Sequence, residues 1–272
     1  MEKYIISVSR RTDIPYFYKD WFLEKIKNGK CIVPNPFNKK SSYEVDLSKD
    51  SVHSFVFWSK NFTKFIDIIK MLKEEKFGIF IHYTINDYSS PFERINEELK
   101  NLIENFKEIS TLINKKSIVW RYDPIVLSKI TDINYHKNKF EEISNLLKNY
   151  VENVYISFVC FYKKVVKKFS EYPELKIYEP SIEIKKEIIK KISEIAEKNE
   201  QKIFSCCNPE LFNMEKVNSG SCINALQIAE NYNDFNLVIK KQPTRKYCGC
   251  YYSKDIGTYG SCKFNCLYCY AN

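Results

Sequence analysis

The chain has 272 residues, of which 44% are hydrophobic and 15% aromatic, with only six glycines and nine prolines. This suffices for one large domain or two small ones and excludes the disordered and fibrous classes. The formal net charge of +9 is compatible with a polyanionic partner such as nucleic acid. Much of the excess, however, lies in helix-like stretches at 163–168 and 185–202, which read as solvated helix faces.

The first residues, MEKYIISVSRRTDIP, lack the apolar region of a signal peptide. No stretch approaches the roughly 18 apolar residues that span a bilayer. The expectation is a cytoplasmic protein with no membrane partner. Thiols stay reduced there, so ten cysteines point to metal ligation or catalysis rather than disulfides.

In chain order, YIISVS (4–9) is a short apolar strand, and 17–29 follows with helical periodicity ending in glycine. SVHSFVFWS (51–59) reads as a buried strand, and 62–75 as a helix. FGIFIHYTI (77–85), KSIVWRYDP (116–124), NVYISFVCF (153–161) and KIFSCC (202–207) are the remaining strands. Helices are expected at 92–109, 136–150 and 181–199. Strands alternating with helices predict βαβ units and a parallel sheet. The expected fold is α/β, a parallel partial (β/α)6 TIM-like barrel over residues 1–210. A Cys-rich C-terminal segment, 211–272, should pack on it. That segment offers one short helix pattern (219–232) and then loses period, and a metal cluster is the natural tie for it.

The apolar strands end in polar groups. Arg10, Arg11 and Asp13 follow the first, and Ser59, Lys60 and Asn61 the second. His82 and Thr84 end the third, and Arg121 and Asp123 the fourth. Parallel α/β folds build their sites at the carboxyl ends of strands, so these residues predict a shared pocket. A guanidinium leaving an apolar strand needs an anionic partner, which singles out Arg121.

The chain closes on GSCKFNCLYCYAN, with Cys262, Cys266 and Cys269 spaced Cys-x3-Cys-x2-Cys. A zinc site usually takes four protein ligands, and a [4Fe–4S] cluster four thiolates. Three thiolates leave one iron open. Cys207, Cys222, Cys248 and Cys250 form a second set for an auxiliary iron–sulfur cluster or a structural zinc, with Cys206 an alternative to Cys207. Cys31 and Cys160 read as small buried hydrophobes, and His53 and His82 as core or pocket residues.

The close triple with Tyr268 before its last cysteine resembles the cluster loop of the radical S-adenosylmethionine (SAM) superfamily. CLYCYA is similar to that of the spore photoproduct lyases, which repair DNA. SVSRRTDIP, VPNPFN, RYDP, CGC and CKFNCLYCYAN together resemble a bacterial family known as domain of unknown function 1848, regarded as radical-SAM-like. The resemblance implies a [4Fe–4S] cluster on Cys262, Cys266 and Cys269, and SAM as co-substrate. It also implies an electron donor such as ferredoxin or flavodoxin, and a radical abstracting hydrogen from an unassigned substrate. Tyr268 would lie beside the adenine. Arg10, Arg121 or Lys60 would meet the methionine carboxylate or an anionic substrate, with Asn61 near the cofactor and Asp123 beside Arg121 in the catalytic set. In that superfamily the cluster loop follows the first barrel strand, so its place at the chain's end implies a circular permutation. No Gly-Gly-Glu stretch is present for the SAM amino group. A nucleic-acid-modifying radical SAM enzyme and a non-catalytic zinc protein that binds nucleic acid are the alternatives, and metal analysis separates the last from the others.

Overall fold

The computed structural model describes every residue except Met1, Phe37, Lys39 and Asn213. Eight strands form one parallel sheet: β1 (Tyr4–Val8), β4 (Val52–Ser59), β5 (Gly78–Thr84), β6 (Ile118–Ile125), β7 (Asn153–Phe158), β8 (Lys202–Ser205), β9 (Val217–Ser219) and β10 (Ser253–Asp255). Their order is β10-β1-β4-β5-β6-β7-β8-β9. β2 (Lys30–Pro34) and β3 (Ser42–Asp46) pair antiparallel as a separate ribbon. All six expected strands are present, each parallel to its neighbours. The segment after residue 210 supplies both edge strands, β9 and β10.

Alternation along the strands divides the sheet into two faces. On one face Ile6, Phe55, Ile81, Trp120, Ile156 and their row-mates pack in the main core. The helices α2 (Lys19–Lys27), α3 (Ile66–Glu74), α4 (Leu99–Leu112), α5 (Ile133–Leu146) and α7 (Ile182–Lys198) bury their apolar stripes in the same core. Among the described residues four α-helices start at side-chain caps, one of them the late helix at 225–232, where Asn224 accepts from Gln227 N. Asp13 accepts from Tyr16 N at α1 (Ile14–Phe17), Asp132 from Tyr135 N at α5, and Ser181 from Ile184 N at α7. Each cap satisfies one backbone donor that the first turn leaves orphaned. The lysines of α6 (Lys163–Phe169) and α7 lie largely on exposed faces while Val165, Phe169, Ile188 and Ile192 are buried.

The other face carries Ile5, Val56, Phe80, Val119 and Tyr155. α8 (Ala225–Tyr232) and the chain after it cover this face with Ile223, Ile228, Leu237 and Tyr251. The C-terminal segment therefore brings its own apolar residues to the sheet, where its lack of period had suggested that it needed a metal to order it.

Two further expectations are corrected. The helix expected at 92–109 begins only at Leu99. Residues before it are held otherwise: Phe92 is fully buried, its carbonyl accepts from Leu267 N, and the Glu93 carboxylate is committed to Lys60. Cys160 is exposed rather than a buried hydrophobe, and Arg245 Nη1 lies 4.0 Å from its sulfur. Cys31 is buried as expected, and burial pushes its thiol up to about 11.

Candidate functional site

The residues that follow the parallel strands converge on one cavity of about 950 Å3. Ser9 and Arg10 enter it after β1, Lys60 after β4, Thr84 from β5, Arg121 and Asp123 from β6, Ser157 from β7, and Cys206 and Cys207 after β8. Asp255 closes it from β10. Its two carboxylate oxygens accept from Ser7 Oγ at 2.6 Å and Ser9 Oγ at 2.5 Å, which fastens the late strand to the first. Gly257 permits the approach, because a Cβ there would lie 2.4 Å from Ser9 Cβ.

Cys262, Cys266 and Cys269 line the same cavity with Tyr268. Protein contacts hold their loop in place. Phe264 stacks on Tyr16 at 5.1 Å, Tyr18 OH donates to Ser261 O, and Lys168 Nζ donates to Cys269 O at 3.0 Å. Burial pushes the Cys262 thiol up to about 11 and that of Cys266 up to about 12. Ala271 N–H donates to Cys269 Sγ at 3.4 Å, the type of contact that tunes cluster sulfurs. Three thiols at one cavity, one with an amide donor, suit a [4Fe–4S] cluster with one open iron.

Beside this loop stands a buried polar network that sequence reasoning missed. Glu93 Oε1 accepts from Lys60 Nζ at 2.7 Å, from Asn86 Nδ2 at 3.0 Å and from Tyr268 OH. Glu93 Oε2 is buried without a partner. Burial alone would depress Lys60, but Glu93, Cys266 and Asp123 together outweigh it and hold the ammonium above its ordinary value. Lys60 also lies 5.5 Å over the Tyr268 ring. The remaining predicted cofactor residue, Asn61, is fully buried and does not line the cavity. Its Oδ1 accepts from Thr63 N and Oγ1, a local turn.

Arg121 finds its anion two residues away. Its Nε and Nη2 donate to Asp123 Oδ2 at 3.0 and 2.6 Å, and Asp123 Oδ1 accepts from Ser157 Oγ. Arg121 Nη1 faces His82 Nδ1 and Cys222 Sγ, both at 3.4 Å. Burial works against the guanidinium charge, but Asp123 and Cys222 hold it well above its ordinary value. His82 stacks on Trp58 at 4.9 Å and meets Cys222 O with Nε2 at 2.6 Å. Burial, reinforced by Arg121, pushes it down to about 3, so the ring is neutral.

The second cysteine set is brought together, and Cys206 joins it. Cys206 Sγ lies 3.6 Å from Cys207 Sγ and 3.5 Å from Cys222 Sγ. Cys250 lies beside Cys222 and Cys248, and Cys248 beside Cys207, so the five side chains gather in one ring-like cluster. Hydrogen bonds from Cys206 and Cys250 hold Cys222 well below the ordinary thiol range, and bonds from Cys207 and Cys250 do the same for Cys248. Among the described residues, no group of three or more His, Cys, Asp or Glu side chains is arranged as a ready ion site. Cys206 instead stands at hydrogen-bonding distance from both Cys207 and Cys222.

Arg245 had no sequence signal beyond its residue type, and Cys206, expected only as an alternative to Cys207, joins the set beside it. Glu93 was hidden inside a helix-like pattern. Among the described residues no helix is long and apolar enough to cross a membrane. No curated protein and no solved structure is similar enough to this chain to match it. A match to the family described as domain of unknown function (DUF1848) spans residues 5–271, and the chain belongs to that family.

Proposed function

We propose that the protein is a radical SAM enzyme in which Cys262, Cys266 and Cys269 hold a [4Fe–4S] cluster with one open iron. The observation that carries this reading is the Cys-x3-Cys-x2-Cys loop, with Tyr268 before its third cysteine, lining the cavity at the carboxyl ends of the strands. Bound there, the cluster would pass one electron from a ferredoxin- or flavodoxin-class donor to the SAM sulfonium, releasing methionine and a 5′-deoxyadenosyl radical. The chain's own residues bind, orient and exclude water. The Lys60–Glu93–Tyr268 network fixes the loop. Arg10 is the better carboxylate receiver, since Arg121 is committed to Asp123 whereas the Arg10 guanidinium lies over Trp58 at 5.6 Å.

The sheet is read as the wall of a circularly permuted partial barrel. β1 and β8 are five strand spacings apart in the sheet, about 24 Å if it were flat. Yet Arg10, after β1, and Cys206, after β8, both act on Cys222. Strong curvature reconciles the two.

A second reading, a nucleic-acid-modifying enzyme of the same class, is favoured by the cavity lining. Exposed Tyr43, Tyr162, Tyr259 and Tyr270 line it with Arg11, Arg245 and Lys254. Aromatic rings for stacking beside cations for phosphate suit an unpaired base.

The test is anaerobic purification with iron and sulfide analysis, then reduction in the presence of SAM. The expected result is about four irons at this loop, the content of that cluster, lost on replacing all three cysteines by Ala, with 5′-deoxyadenosine formed only by the unmutated protein. Iron content unchanged in the triple variant, or zinc alone in the unmutated protein, would overturn the reading.

A further inference from the structure

We propose that the ring of Cys206, Cys207, Cys222, Cys248 and Cys250 is a second metal site, taking one zinc-class divalent ion on four thiolates. The site is independent of Cys262, Cys266 and Cys269, though it lines the same cavity.

Spacing separates the two sets. Among the described residues, none of the three terminal-loop thiols hydrogen-bonds another, as a cluster-sized gap requires. In the ring, neighbouring sulfurs stand 3.5 and 3.6 Å apart where Cys206 meets Cys222 and Cys207. Four sulfurs bonded tetrahedrally to one zinc at about 2.3 Å are about 3.8 Å apart. The Cys206–Cys222 spacing is already within a few tenths of an ångström of that value, and the Cys248 and Cys250 side chains would turn in to complete the set. Thiols hydrogen-bonded to one another are what such a site looks like with its protons on. Cys206 and Cys207 are chain neighbours, so one of them with Cys222, Cys248 and Cys250 completes the four.

Charge is the second argument. Arg10 faces Cys222 and Cys250, Arg121 donates to Cys222, and the more exposed Arg245, held by Tyr162 OH and Cys160, lies beside Cys207. Asp123 neutralises Arg121, and Asp255 is engaged by Arg11. Two cations remain turned toward the sulfurs. Four thiolates on one divalent ion carry a net charge of minus two, which those cations match.

Local backbone serves the same end. Gly249, between Cys248 and Cys250, packs where a Cβ would lie 2.5 Å from Ser221 Oγ, and its carbonyl accepts from that hydroxyl at 2.9 Å. This brings the Cys-Gly-Cys turn against Cys222. Soft all-sulfur donor sets select zinc or iron–sulfur centres, and the tight spacing selects the single ion.

The experiment uses the full chain with Cys262, Cys266 and Cys269 replaced by Ala, so the outcome does not depend on the radical SAM reading. Zn2+ alone is titrated anaerobically, and bound metal is measured after gel filtration. One zinc per chain is expected, with four ring cysteines shielded from alkylation. A further Cys222→Ser or Cys250→Ser change should reduce binding to none. Co2+ should give the visible spectrum of tetrahedral thiolate ligation. If a Ser variant fails to fold, the alkylation pattern of the folded parent still decides. No zinc bound, ring cysteines alkylated equally with and without Zn2+, or an iron–sulfur spectrum formed on adding Fe2+ and sulfide to the same protein would each overturn the assignment.

Discussion

An arginine that leaves an apolar strand needs a counter-charge, and Arg121 takes it from Asp123 on its own strand. Removing one partner of a buried pair strands the other charge, at a cost of about 3–5 kcal/mol. Asp123→Ala should therefore destabilise the protein strongly, and Ser157→Ala, which removes one donor to Asp123, by about 1 kcal/mol. Urea denaturation of both variants checks the ranking; equal costs would mean that Asp123 is not charged beside Arg121. Histidines give a pH prediction. His136 is fully buried between Tyr122 OH and Val126 O, each 2.9 Å away, and burial pushes it down to about 4. In the unfolded chain it takes a proton near pH 6.5, so the unfolded state binds more protons between those values. Its contribution is complete above pH 6.5 and is lost as pH falls toward 4, about 2 kcal/mol by pH 5. Between pH 7.5 and 5 the unmutated protein should lose about 2 kcal/mol more than His136→Gln, since the other buried groups titrate alike in both; an equal pH dependence of the two proteins in denaturation would refute a neutral buried His136.

At the scale of elements, β10 depends on Gly257. Its position leaves no room for a Cβ, which would meet Ser9 Oγ at 2.1 Å and Ser9 Cβ at 2.4 Å. Gly257→Ala should cost about 1–3 kcal/mol through overpacking and loosen β10 from β1. Adding Ser9→Gly relieves the clash but also removes the Ser9 Oγ bond to Asp255, so it should restore only part of the cost; Ser9→Ala should restore none, because Ser9 Cβ is part of the clash and the bond is lost as well. Thermal melts of the three variants decide this, and no cost for Gly257→Ala would place the strand elsewhere. β10 also shows where the sequence stops being legible. The six central strands were readable because long apolar runs such as VHSFVFWS are buried on both faces. β9 and β10 have three residues each, of which only Val217 is apolar and buried, and their pairing is set by neighbours far away in the chain. The stretch from 92 to 98 carries helical spacing but is recruited to the site through Glu93, so tertiary bonds override its periodicity. Among site residues, the polar groups after apolar runs were legible as a set, because strand ends in parallel sheets converge. The partners that commit them, Glu93 to Lys60 and Asp123 to Arg121, were decided by distances that no spacing encodes.

Considered as a whole, the molecule closes on itself through its last quarter. The face of the sheet opposite the main helices is apolar, with Ile5, Val56, Phe80 and Val119 buried on it. Without residues 222–251 that face would be open to solvent. The cover is bound by backbone as well as packing: Val238 N donates to Lys3 O, Lys3 N to Asn236 O, Tyr251 N to Ile223 O, and Tyr232 OH to Ile79 O. Both edges of the sheet are completed by the same segment. A cover that supplies edges, inner packing and cavity lining cannot leave while the sheet remains folded, because the exposed apolar face would lose its burial free energy. The amides of 223–238 should therefore exchange with deuterium only as slowly as those of β4 to β7, since regions open together when they share one cooperative unit. Calorimetry should show a single transition for the same reason. Early exchange across 223–238, with the central strands still protected, would instead make the C-terminal segment a separate, removable layer.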